Sequence, residues 1–143
     1  MLIDLLIILV FLLASGFFSG IEIAFISADK LRIEVENQKQ SRRGVILSNF
    51  LKTPSEFLGT TLVGNNIVLV ILSLLASEFL LKYLGINSSE FVGTIQATLI
   101  TTLIVLVFGE FLPKVTFQIN STGILFFFAY PLYLIQWLSL IHI

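Results

Sequence analysis

A chain of 143 residues that is 57% hydrophobic and 12% charged, with a net charge of −1 and no cysteine, is far from a soluble composition, in which about a quarter of residues are charged. Its mean hydropathy is +1.03, and a soluble fold this short exposes too much area to hide so many apolar side chains. These values exclude an ordinary soluble enzyme, a disordered tail, a nucleic-acid binder and any disulfide or thiolate-metal chemistry, and leave an integral membrane domain.

The first apolar run, Leu5–Ala28, carries one charge, Glu22. A crossing takes about 20 apolar residues, so a spanning helix is predicted over 4–28. It has no basic n-region and no small-residue cleavage site, unlike a secretory signal. Ten of the 17 charges then crowd between Asp29 and Glu56, among them Lys30, Arg32, Lys39, Arg42, Arg43 and Lys52. Loops rich in Lys and Arg stay in the cytoplasm, which puts 29–56 inside and the N-terminus outside. Leu31, Val35 and Val45-Ile46-Leu47 predict two short amphipathic juxtamembrane helices over 29–52, hinged near Gly44 at the cytoplasmic surface. Thr53-Pro54-Ser55-Glu56 reads as a cap, a proline at the first helical position and a Glu three residues after the cap. The second span is predicted over 54–83, ending near Gly85. Asn87-Ser88-Ser89-Glu90 repeats the capping pattern before a third span over 90–112, after which Lys114 returns to the cytoplasm.

The last stretch, 115–143, has no acid and no Lys or Arg. Polar Gln118, Asn120, Ser121 and Thr122 interrupt it, and Pro131 kinks or breaks a helix. It reads as a broken helix partly in the membrane on the cytoplasmic side, with a full fourth span as the alternative. Phe126-Phe127-Phe128 and Trp137 read as lipid contacts and interfacial anchors. The predicted fold is therefore one all-α integral membrane domain over 1–143. It has three transmembrane helices, short cytoplasmic juxtamembrane helices and a Pro-broken fourth helix.

Polar groups within spans are costly and mark helix contacts or function. Ser15, Ser19 and Glu22 fall at i, i+4 and i+7 on one face of the first span. The second span holds Asn65 and Asn66, and the third ends in Gly109-Glu110-Phe111-Leu112-Pro113-Lys114. Ser19 lies roughly 13 Å from the cytoplasmic end of its span, and Asn65 roughly 12–16 Å from the start of its own, by the helical rise. All three clusters sit in the inner half of the bilayer and point to one site reached from the cytoplasm. Pro113 has no N–H for the carbonyl four residues back, which belongs to Gly109, so that oxygen is free. Hydroxyl, amide, carbonyl and carboxylate oxygens, without sulfur or imidazole at that depth, suit a hard cation such as Mg²⁺, Ca²⁺ or Na⁺.

The same residues also fit plainer roles. Gly16 and Gly20 read as helix-packing positions, and Ser19 fits packing and ligation about equally. Asn65 and Asn66 also fit interhelical glue, a role that suits one of them, and the choice between them is open. Glu22 fits a cation partner, a proton carrier or a protonated carboxyl bonded to a neighbouring helix. Glu110 fits a solvated end paired with Lys114.

Ser19-Gly20-Ile21-Glu22-Ile23-Ala24, Gly64-Asn65-Asn66 and Gly109-Glu110-Phe111-Leu112-Pro113-Lys114 resemble, in order and separation, the three signature motifs of the transmembrane domain of CNNM/CorC magnesium transporters. The resemblance covers essentially the whole chain, and it implies that the Pro-broken fourth helix is belt-like. It implies a homodimer that exports Mg²⁺, with Na⁺ exchange as the coupling. It implies a Mg²⁺ site from Ser19, Asn65 or Asn66, Gly109 and Glu110, with the Pro113–Lys114 region and Glu22 in support or at a coupling-ion site. In that family the domain continues into cytoplasmic nucleotide-binding modules. This chain ends at Ile143 before any such module, so it is read as a truncated piece, and ATP is not expected as its partner. Two other classes compete. A scaffolding membrane module would use the polar residues as packing glue. An intramembrane protease needs a base beside its nucleophile, and Ser19 has no His at its depth, so the chain is not expected to be an enzyme.

Overall fold

The computed structural model describes residues 1–85 and 91–142, with side chains described to residue 139. The predicted caps at Asn87–Glu90 lie outside the described residues. Among the described residues the chain is helical throughout. Helix α1 runs over Leu2–Ser27, α2 over Lys30–Gln38, α3 over Arg42–Lys52 and α4 over Pro54–Tyr83. Then come α5 over Phe91–Ile104, a π-helical segment over Val105–Phe111, α6 over Leu112–Ile119, α7 over Ser121–Phe127 and α8 over Ala129–His142. Three helices are long and apolar enough to cross a membrane: Leu2–Ser27, Pro54–Tyr83 and the continuous Phe91–Ile119.

Pairings along the spans set their directions. Tyr83 donates to Asp4 at 2.8 Å, Asn65 meets Ser15 and Ser19, and the Phe25 and Phe57 rings stack at 4.3 Å. The partner number falls as the α1 number rises, so α1 and α4 are antiparallel. Against the third span, Gly16 meets Pro113 and Gly20 meets Phe117, so these two run parallel. Glycine is required at these crossings. A Cβ on Gly16 would sit 2.9 Å from Pro113 Cγ, and one on Gly20 2.4 Å from the Phe117 ring.

The densest core lies at the charged end of the bundle. Ile21, Phe25, Ile33, Leu47, Phe50 and Phe57 are buried there together with Leu125, Ala129 and Leu132. The α2–α3 hairpin turns at Lys39–Ser41, with Gln40 at φ 60°, and not near Gly44. Gly44 is inside α3, where a Cβ would come within 2.6–2.8 Å of the Glu36–Asn37 backbone. Its absent side chain lets two helices touch, and the turn falls elsewhere. Ile33 is the buried apolar residue of α2, while Leu31 and Val35 face outward. Asp29 caps α2 by accepting from Leu31 and Arg32 N–H. Pro54 opens α4 as predicted, but Thr53 makes no side-chain cap bond, and its backbone N–H closes α3 by donating to Phe50 O.

After the third span the chain turns at Asn120. Ser121 donates to Ser27 O at 3.1 Å, and Asp29 N–H donates to Thr122 at 2.9 Å. These polar residues fasten α7 to the α1–α2 junction. Together α7 and α8 are apolar and long enough to cross, but they bend by 69°. The break is at Phe128, and Pro131 sits in the first turn of α8. Its missing N–H denies Phe127 a partner and ends α7, while in a first turn that N–H has no intrahelical use. Of the Phe run only Phe127 is largely exposed. Phe126 lies under the Arg32 guanidinium, and Phe128 packs edge-on to Phe17 at 5.0 Å.

Candidate functional site

Three side chains and one backbone carbonyl meet where the spans cross. Ser15 and Ser19, one turn apart on α1, are fully buried, and Asn65 of α4 is 7% exposed. Ser15 Oγ lies 3.2 Å from Asn65 Oδ1 and 3.4 Å from the Gly109 carbonyl, while Asn65 Nδ2 donates to Ser19 Oγ at 3.3 Å. A hydroxyl has one proton, so Ser15 satisfies one of its two acceptors at a time. The cluster draws on all three spans and carries no formal charge. Among the described residues no three His, Cys, Asp or Glu side chains gather to hold a metal.

The third span delivers Gly109 through its irregular backbone. Within the π segment Leu112 N–H reaches back five residues to Val107 O. Pro113, next in line, has no N–H. Phe108 O therefore loses both donors that a helix can offer, and Gly109 O loses its α-helical one. The Ser15 hydroxyl from α1 reaches the Gly109 oxygen instead. The helix does not stop where the third span was expected to end, at 112. The π register absorbs the proline, and the helix runs on to Ile119. Glycine at 109 allows the approach, since a Cβ there would stand 3.3 Å from Ser15 Oγ.

The other predicted residues fall around this cluster. Asn66 is exposed, a third of a turn away from Asn65. Glu110 is half-buried in a separate cleft of about 200 Å³ with Leu69, Ser73 and Thr102. No hydrogen bond joins Glu110 to the cluster, and no ion pair joins it to Lys114, among the described residues. Lys114 and Pro113 are half-buried, the latter against Gly16. Glu22 is half-buried nearly one turn past Ser19 toward the charged end. Ser15 is the residue that sequence reasoning leaves out of the ligand set. Its signal was the four-residue spacing from Ser19, which also fits packing.

The sequence matches the family model described as the cyclin M transmembrane N-terminal domain, CNNM, over residues 6–141. A UPF0053 protein of Haemophilus influenzae is 26% identical over 126 residues, covering 88% of this chain and 29% of that protein. The UPF0053 inner membrane protein YfjD of Escherichia coli is 29% identical over 100 residues, covering 70% of this chain and 22% of that protein. The chain thus spans less than a third of the length of these curated relatives. With three membrane-spanning helices and a family match over almost its whole length, the chain belongs to the CNNM family as its transmembrane domain.

Proposed function

We propose that this domain carries Mg²⁺ across the membrane, exporting it in exchange for Na⁺ influx, and works as a homodimer. The observation that carries the reading is the buried cluster of Ser15, Ser19, Asn65 and the Gly109 carbonyl, one oxygen set drawn from all three spans. Buried polar groups at such a crossing mark a pathway or a contact, and neutral oxygens select hard cations over soft ones. In a Mg²⁺ octahedron with bonds of 2.0–2.1 Å, neighbouring oxygens stand about 2.9 Å apart. The observed separations from Ser15 Oγ, 3.2 and 3.4 Å, need to close by only a few tenths of an ångström. Water completes the shell, since Mg²⁺ dehydrates reluctantly. Asn65 is the amide ligand in this reading, and Asn66 faces away from the site. Glu110, adjacent to Gly109, supplies a carboxylate when the third span turns.

The basic residues between Lys30 and Lys52 set the orientation, with that segment cytoplasmic and the N-terminus outside. The cluster then lies in the inner half of the bilayer, and the helices must part to admit cytoplasmic Mg²⁺. The test is Mg²⁺ flux in proteoliposomes, together with calorimetric Mg²⁺ binding, for wild type and Ser19→Ala. Loss of both in Ser19→Ala is expected, and wild-type values in that variant contradict the assignment.

One observation favours a second reading. The cluster is already hydrogen-bonded across α1, α4 and the third span, as packing glue would be in a scaffolding module. That reading predicts that Ser19→Ala lowers stability alone and that the wild type binds no Mg²⁺.

A further inference from the structure

A threonine inside a helix ordinarily donates its hydroxyl to a carbonyl one turn back. Thr60, Thr98 and Thr116 do so at 2.8–2.9 Å, and Thr61 reaches Leu58 O at 3.0 Å. Thr101 does not. Its Oγ1 has no hydrogen-bond partner among the described residues, although the residue is only 4% exposed. A buried hydroxyl left unpaired is costly.

Its position gives the orphan hydroxyl a use. Gly93, Ala97, Thr101, Val105 and Gly109 recur every four residues and are all buried, forming the inward stripe of the third span. Thr101 is the one side chain of this stripe with a polar atom. It lies about 11–12 Å along the axis from Gly109 by the helical rise, toward the end where Tyr83 meets Asp4. It therefore lies toward the membrane face opposite the charged end, on the far side of the oxygen cluster.

We propose that Thr101 is a second, transient oxygen ligand for the transported cation, met after it leaves the Ser15–Ser19–Asn65–Gly109 cluster and before it reaches the opposite face. The proposal rests on the transport reading above. A hydroxyl suits this step because its oxygen lone pairs accept the cation directly or accept a hydrogen bond from one of the ion's bound waters. A neutral, single oxygen holds a divalent ion weakly, and conduction needs sites that the ion leaves readily. A partly hydrated Mg²⁺ asks for one such oxygen and keeps its waters.

The test uses the intact protein in liposomes, reading Mg²⁺ flux with an entrapped dye and Mg²⁺ binding by calorimetry. Thr101→Val keeps the shape and removes the oxygen, and Thr101→Ser keeps the oxygen. Thr101→Val is expected to slow flux about tenfold while leaving Mg²⁺ affinity within about twofold, and Thr101→Ser to retain most of the flux. Folding is monitored by thermal unfolding; if Thr101→Val does not fold, Thr101→Ala is read in the same way. Wild-type flux in Thr101→Val, or an equal loss in Thr101→Ser, overturns the proposal. If at the same time Asn65→Ala loses Mg²⁺ binding, the transport reading stands without Thr101. A wild-type protein that neither binds nor moves Mg²⁺ overturns both.

Discussion

Replacing Pro113 with alanine separates stability from function at the oxygen cluster. A proline inside a helix costs about 3 kcal/mol relative to alanine. The new N–H at 113 closes on the Gly109 carbonyl and lets the π segment at Val105–Phe111 relax to α geometry. Against that gain stands the ring's packing on Gly16, where Pro113 Cγ and Cβ lie 2.9 and 3.5 Å from the position of a Cβ. Losing the contacts of two methylenes costs about 1.6 kcal/mol at about 0.8 kcal/mol each. The net expectation is a protein as stable as wild type, or about 1 kcal/mol more stable. The Gly109 oxygen, now bonded within its own helix, no longer faces Ser15 as a free acceptor. Mg²⁺ affinity measured by calorimetry in detergent is expected to fall at least about tenfold, or about 1.4 kcal/mol. Wild-type affinity in a Pro113→Ala protein of equal or higher stability would refute the carbonyl's role.

The two adjacent asparagines should behave differently. Asn65→Leu removes two interhelical hydrogen bonds, worth about 0.6 kcal/mol each on average within membranes, and abolishes Mg²⁺ binding, whereas Asn66→Leu changes stability by less than about 0.5 kcal/mol; unfolding and calorimetry on both check this. Gly20→Leu drives a side chain into the Phe117 ring and should cost at least the 1–3 kcal/mol typical of overpacking, read as a lower unfolding temperature. Phe57→Ala empties the space between the Phe25 and Phe50 rings at 4.3 and 4.8 Å. It should cost about 3–5 kcal/mol and expose the charged-end hairpin to proteolysis.

The spans were legible because hydrophobic length and charge placement report them directly, and Pro54 and Gly85 mark the ends of α4, the latter with φ 64°. The errors came from residues whose role depends on a neighbour far away in sequence. Gly44 reads as a hinge until Glu36 and Asn37 press against it. Pro131 reads correctly as a break, because its missing N–H acts locally: α7 ends and the chain bends by 69° into α8. Asn120, Ser121 and Thr122 read correctly as an interruption, since α6 ends at Ile119, but spacing does not show that the latter two bind the α1–α2 junction. At the site, sequence separates Asn65 from Asn66 by 100° of helix but does not say which side faces α1. Ser15 joins the cluster because α1 crosses the third span at Gly16, a crossing that spacing alone does not specify. Glu110 follows Gly109 in the chain, but the turn of the π segment carries it to a different cleft.

A high-resolution structure of the intact protein with Mg²⁺ tests the central claim most directly. The account predicts an ion bounded by the Gly109 carbonyl, Asn65 Oδ1 and the serine hydroxyls, with metal–oxygen distances of about 2.0–2.1 Å and the remaining positions filled by water. Distances of about 2.3–2.6 Å would mean a larger cation such as Ca²⁺. An ion bound elsewhere, with the Ser15–Asn65–Gly109 hydrogen bonds intact in saturating Mg²⁺, would contradict it.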